Sequence, residues 1–440
     1  MHDPRAHRHQ PMAVPKQLSQ ITILRTGYPD PGKAIFQQQL QQKFGIEAIG
    51  FLLADALFSL VYSGRGGRHS YEIKWSPRRQ MVPRTQRQHF RVAWTKLRYI
   101  TFSMNRRNFL ELAAAGAGVL PISCLARTKV RHAQAVTVLG PIAPERLGRT
   151  LIHEHVMVDF IGADATRPGR YDPEEVFLKA LPHLRQVKSA GCDTLVDCTP
   201  AYIGRDAGLL RRLSQASGLQ MVTNTGFYGA AQNKYVPRFA YAETAQQLAA
   251  RWVKEFEDGI PPSGVRPGII KIGVNSGLLS EIDAKLVKAA AITHQQTGLT
   301  IASHTGDGVA AMAQISTLKS HGVAPAGFIW VHAQNEADTR LHLQAAEAGA
   351  WVEFDGISSA AAQKHVELVL GMKQAGYLSR VLLSQDSGWY HVGEPGGGNF
   401  RPYDFLLIEF LPLLGRAGVS AKEIETIMIR NPRAVLTVPK

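Results

Sequence analysis

The 440-residue chain carries 50 Lys+Arg against 35 Asp+Glu, and its net charge of +15 with a pI near 9.8 invites a nucleic-acid or membrane-surface reading. The excess is confined to residues 1–135, which hold 21 basic and 6 acidic side chains, whereas the remainder holds 29 of each, so the pI says nothing about what the body binds. Three cysteines exclude a disulfide-dense secreted scaffold, and Cys192 and Cys198 read as buried thiols.

Residues 1–103 are rich in Arg, Gln and His ("QQQLQQKF", "SPRRQMVPRTQRQHFR"). Their one apolar run, "AIGFLLADALFSLVY", contains Asp55 and is too short and interrupted to span a bilayer well. The next segment, 104–135, starts with Arg106 and Arg107, continues through Phe109, Leu110 and a mildly apolar Ala/Gly/Leu core, and ends in Ala133-Gln134-Ala135. This is the pattern of a twin-arginine export signal, and Pro121 argues against reading Cys124 as a lipoprotein cysteine. Such a signal works at the start of a chain, so Met104 is expected to be the true start. Residues 1–103 are then a translated leader without a folded role, and the mature protein is periplasmic or secreted.

From 136 to 440, eight short apolar runs alternate with amphipathic stretches: 150–155, 194–198, 220–226, 268–274, 300–304, 328–332, 351–354 and 381–386. The helical stretches close near glycine, as in "PEEVFLKALPHLRQVKSAG". The expected fold class is α/β: a (β/α)8 TIM barrel preceded by a signal peptide and an unstructured N-terminal extension. A doubly wound sheet is the alternative, but no G-x-G-x-x-G follows the first run.

Titratable residues gather where such a barrel keeps its chemistry. His153 and His155, two apart at the end of the first run, share one face of a strand and can grip one metal ion, while Glu154 between them faces the surrounding helices. His304 ends the fifth run and His332 the sixth. Four neutral nitrogens suit zinc better than magnesium or calcium. Lys271, flanked by isoleucines in "GIIKIGV", is costly as a buried ammonium beside a metal. As a free amine it can capture carbon dioxide and become a carbamate able to bridge two metals. Asp386, ending the eighth run, completes the set as a metal ligand and proton acceptor.

With "VTVLGPIAPERLGRTLIHEH", "TLVDCTPAYIGRD", "TGFYG", "IIKIGV", "SHTG", "VHAQ" and the Asp386 stretch in one order, the body resembles the phosphotriesterase family of the amidohydrolase superfamily. The resemblance implies that His153 and His155 hold the more buried metal with Asp386, that His304 and His332 hold the more exposed one, and that Lys271 bridges them as N6-carboxylysine. It also implies that Tyr228 lies beside the bridging water. The chain then uses two divalent ions, zinc for preference, and a metal-bridging hydroxide to cleave a small-molecule ester, lactone or phosphotriester, with Asp386, Lys271 and Tyr228 as catalytic residues.

The loop after the eighth run, "SGWYHVGEPGGGNFRPYD", departs from that family's best-known members, which leaves the substrate open. Trp389, Tyr390 and His391 are the substrate-pocket candidates. Two other readings compete: a mononuclear, deaminase-like amidohydrolase, and a non-catalytic periplasmic zinc-binding protein. No nucleic-acid surface and no membrane span of the mature chain are expected, and a homodimer fits the family.

Overall fold

The structure, a computed structural model, describes residues 133–438 throughout and, ahead of them, the backbone of three strands. The chain divides into two compact units, Met1–Arg127 and Thr128–Lys440. In the first, Ala56–Arg65 pairs antiparallel with Arg68–Pro77, which in turn pairs with Phe102–Ser103. The leader reading of 1–103 and the export-signal reading of 104–135 otherwise fall outside the described residues. In the second unit Gln134 exchanges both backbone hydrogen bonds with Val438, and Ala135 is buried in a strand, Ala135–Thr137. No helix among the described residues is long and apolar enough to cross a membrane.

In the second unit eight parallel strands run in sequence order: β1 (Thr150–Val158), β2 (Thr194–Asp197), β3 (Gln220–Val222 with Asn224–Thr225), β4 (Ile269–Val274), β5 (Ile301–Thr305), β6 (Phe328–Val331), β7 (Trp351–Phe354) and β8 (Val381–Leu383). Each pairs with the next, and Thr223 divides β3 so that its first half serves β2 and its second half β4. The ring is joined by the chain just past β8, where Asp386 N–H donates to His153 O (3.1 Å) and His155 N–H donates to Ser387 O (2.9 Å). Helices between the strands cover the outside, and several are started by a side-chain cap, among them Asp172, Asp206, Ser280 and Asp307. The arrangement is that of an α/β fold with a parallel sheet, consistent with a (β/α)8 barrel.

Two apolar layers follow from the period of two along each strand. Leu151, Leu195, Ile270, Ile272, Ile301, Phe328, Trp330, Val352 and Leu383 point outward and pack with the helices. Ile152, Val196, Val222, Ile269, Ala302, Ile329 and Leu382 point inward and, with Leu147, Val435 and Leu436, fill the floor of the interior. Above that floor, toward the C-terminal ends of the strands, polar side chains gather, with Val331 and Cys198 remaining part of the apolar cluster.

Candidate metal centre

Extending the inward positions upward by two residues leads to Lys271 from Ile269, to His304 from Ala302, and through Ser384 to Asp386 from Leu382. The histidine pair does not follow this rule, because Ile152 already points inward. Between Leu151 and Glu154, β1 spends three steps while β2 spends two, from Leu195 to Asp197. This bulge shifts the alternation by one, so Ile152 and His153 both serve the interior. The strand continues to Val158, which places the pair in its middle rather than at its end. His332 breaks the rule differently: it follows β6 directly with φ +64°, a left-handed backbone that re-aims its ring. Asp386 (φ +52°) and Trp389 (φ +74°) share that unusual conformation, which clusters at functional sites.

The side chains converge. His155 Nε2 lies 3.2 Å from His153 Nε2 and 3.1 Å from Asp386 Oδ1; Lys271 Nζ lies 3.4 Å from His153 Nε2; Asp386 Oδ1 is 3.9 Å from His153 Nε2. Four donors on a zinc ion at about 2.0–2.1 Å would stand roughly 3.3–3.4 Å apart, which is this spacing. His304 and His332 adjoin the group, their ring centroids 4.3 Å apart, with His332 5.1 Å from His153. All six predicted ligands are therefore brought to one rim. Lys271 is only 2 % exposed, whereas the Asp386 side chain keeps 19 % and faces the opening.

The proton positions follow from the partners. With the Thr199 hydroxyl proton on Met157 O (3.2 Å), His155 Nδ1 donates to Thr199 Oγ1 (2.7 Å), the tautomer that leaves a lone pair on Nε2. His153 Nδ1 donates to Glu353 Oε1 (2.8 Å), and His332 Nδ1 donates to Asp355 Oδ1 (2.6 Å). The two Nε2 lone pairs at 3.2 Å then face each other across a gap that a cation would fill. Asp386 Oδ1, buried and off the line of a hydrogen bond, has no hydrogen-bond partner among the described residues. These donors fit a divalent metal. Asp355, which also approaches His153 Nδ1 at 3.4 Å, could itself be read as a ligand with His153 and His332. It meets both rings on their Nδ1 side, however, so it orients them and does not compete for the cation.

Burial pushes the Glu353 carboxyl well above its ordinary range, helped by the charge of Asp355, whereas Asp355 stays well below its own because His332 and His153 outweigh its burial. Burial, reinforced by His332 and Lys271, lowers His304 far below the usual imidazole value, and burial likewise lowers His155. Neutral imidazoles are what a metal needs.

Glu154 does not face the helices as the alternation implied. It turns to the chain past β8, accepting from Ser384 Oγ, Gln385 N–H and Ser387 N–H, and burial pushes its carboxyl up to about 8. The physical reason is the ring closure there, which leaves those donors needing an acceptor. Gly388 sits so close to β1 that a Cβ would meet His155 O at 1.8 Å, so only glycine fits.

Tyr228 OH is 3.0 Å from His304 Nδ1, beside the site as expected, and burial raises its pKa so that it stays a donor. Trp389 packs edge-on to His155 at 5.3 Å, and with Phe160 and His391 it forms an aromatic wall. Tyr390, expected in the pocket, is turned away. On the extended segment Gly388–His391 it has the opposite parity to Trp389 and His391, and it packs in the outer core against Gly397. Glu353, Asp355 and Thr199 were not anticipated. The signal for the first two was present as "EFD" ending the seventh run, an i, i+2 acid pair at the same rim as the histidines.

Neutral imidazoles, a buried lysine and a carboxylate at the C-terminal rim of a parallel α/β ring define the class of metal-dependent hydrolases. Residues 133–436 match the family described as "Phosphotriesterase family", and the chain belongs to it. A "Phosphotriesterase homology protein" of Escherichia coli is 29 % identical over 290 residues, spanning 65 % of this chain and 96 % of that one. An "Aryldialkylphosphatase" of Saccharolobus solfataricus is 24 % identical over 305 residues (66 % and 96 %). An "N-acetyltaurine hydrolase" of Xenopus tropicalis is 25 % identical over 345 residues (68 % and 97 %).

Proposed function

We propose that the protein is a binuclear-metal hydrolase cleaving a small ester, lactone or phosphotriester, with a carboxyl ester or lactone as its natural substrate. The observation that carries this reading is the approach of His153 Nε2, His155 Nε2, Lys271 Nζ and the partnerless Asp386 Oδ1 to one point. His153, His155 and Asp386 would hold one ion, and His304 and His332 the other. Lys271 would link them as a carbamate formed by its amine and carbon dioxide. Two divalent cations supply Lewis acidity and a water of lowered pKa.

The chain's own residues do the rest. Asp386, at the open face, accepts the proton released as the water attacks. Tyr228 donates a hydrogen bond beside His304. Glu353, Asp355 and Thr199 fix the imidazole tautomers. Trp389 and His391, with Phe160, shape an apolar pocket. The relatives named for phosphotriester and N-acyl hydrolysis support the same chemistry on a substrate left to be found. The export signal read at 104–135 would deliver the enzyme to the periplasm, where N-terminal sequencing of the native protein should find residues 1–103 missing.

The test is metal analysis of the full chain together with a panel of aryl esters, lactones and aryl phosphotriesters under zinc, cobalt or manganese. Two metal equivalents with turnover are expected. One equivalent would favour a mononuclear amidohydrolase, and metal without turnover a binding protein. Lys271→Ala should abolish turnover, and a short carboxylic acid should restore part of it.

A further inference from the structure

The reading of the metal centre leaves Arg401 without a role, although its guanidinium lies one side chain from the ligands. Its backbone pairs both ways with Gly388 (Arg401 N–H to Gly388 O, 2.8 Å; Gly388 N–H to Arg401 O, 2.9 Å), so the loop past β8 is clamped at its two ends. Its Nη2 donates to the carbonyl of Asp386, and its Cζ sits 4.8 Å over the ring of Trp389, which itself packs against His155 at 5.3 Å. Stacking on an indole holds a guanidinium in place with little further loss of freedom.

Charge distinguishes Arg401 from its neighbours on the rim. Arg170 and Arg238, on the loops after β1 and β3, are taken by Asp159 and Asp164. Arg401 is exposed and has no carboxylate partner among the described residues, and a single carbonyl occupies one of its five donors. An oriented, uncompensated cation with donors to spare, bordering an aromatic wall, is a receptor for an anion.

We propose that Arg401 determines specificity by selecting substrates that carry an anionic group, a carboxylate, sulfonate or phosphate, on the part lying over Trp389. The proposal rests on the hydrolase reading given above. A purely structural Arg401 would staple the loop through Gly388 and the Asp386 carbonyl, and its removal would affect charged and neutral substrates alike.

Wild type, Arg401→Gln and Arg401→Lys distinguish the two roles through two readouts on the full chain. In the first, calorimetry on metal-stripped protein compares 4-hydroxybenzoate with its uncharged methyl ester. In the second, the metal-loaded proteins hydrolyse 4-carboxyphenyl acetate against 4-(methoxycarbonyl)phenyl acetate, and mono-(4-nitrophenyl) succinate against methyl 4-nitrophenyl succinate, which place the charge on the leaving or the acyl side. The anionic-to-neutral ratio of affinity, and of kcat/KM in one of the two pairs, should fall about tenfold or more in Arg401→Gln and recover partly in Arg401→Lys. Ratios unchanged within about twofold in both readouts would overturn the proposal, whatever happens to the absolute rates. Charge-selective binding without turnover of any ester, lactone or phosphotriester of the panel above would instead sink the hydrolase reading and leave the anion site standing.

Discussion

The floor and the rim of the same ring of strands obey different physics. At the floor, Ile152, Val196, Val222, Ile269, Ala302, Ile329 and Leu382 need only fill space, and their packing requires no particular partner. At the rim, a few residues further along those strands, each polar atom needs a specific partner: Nδ1 atoms find Thr199, Glu353 and Asp355, while the Nε2 atoms of His153 and His155 and Asp386 Oδ1 face one another. The floor therefore holds the rim in place, and the rim's unmet valences are where function resides.

The comparison can be broken most forcefully at the rim. Asp386→Asn removes an anionic ligand and the proton acceptor, and kcat should fall by roughly 10²–10⁴-fold with the fold intact, as circular dichroism and turnover will report. Asp355→Ala leaves all six ligands but frees the Nδ1 side of His332, His153 keeping Glu353; metal affinity in a chelator competition should weaken by about 10–100-fold. A normal affinity would mean that Asp355 does not orient the rings.

Leu382→Ala tests the floor. Its cavity should cost about 2–5 kcal/mol in urea unfolding, while metal stoichiometry of the folded protein stays as in wild type. A changed stoichiometry would mean that floor and rim are not separable.

The smallest effect lies far from both. Lys373 and the Ser420 cap hold the partly exposed Glu423 carboxyl down at about 2 from its ordinary 4.5. A depressed carboxyl contributes stability above the unfolded value and loses it as pH falls through the folded one. Glu423→Gln should therefore be slightly less stable than wild type near pH 7, the difference closing between about 4.5 and 2. A difference that persisted below that window would place the effect elsewhere than in this charge.

Much of the site was legible because it follows simple alternation. Lys271 and His304 stand two residues above apolar inward positions of their strands, so composition and period placed them at the rim. Other features were not legible. Tyr390 looked like its neighbours Trp389 and His391, but whether an extended segment shows its odd or even face to a pocket depends on which side the barrel lies. Glu154 was assigned to the helices by alternation, whereas ring closure beside β1 supplied it with donors from residues more than two hundred positions away.

The sequence by itself determined the kinds of groups available, their order, and the eight-fold alternation that makes a parallel ring the economical way to bury the apolar runs. Only the tertiary structure decided that His153 and His155 reach the interior through a bulge, that His332 reaches it through a left-handed backbone, and that Arg401 returns across Trp389. Local pattern cannot encode those outcomes, because the first two are small backbone irregularities accepted only when distant strands close around them, and the third depends on which segments the closed ring brings together.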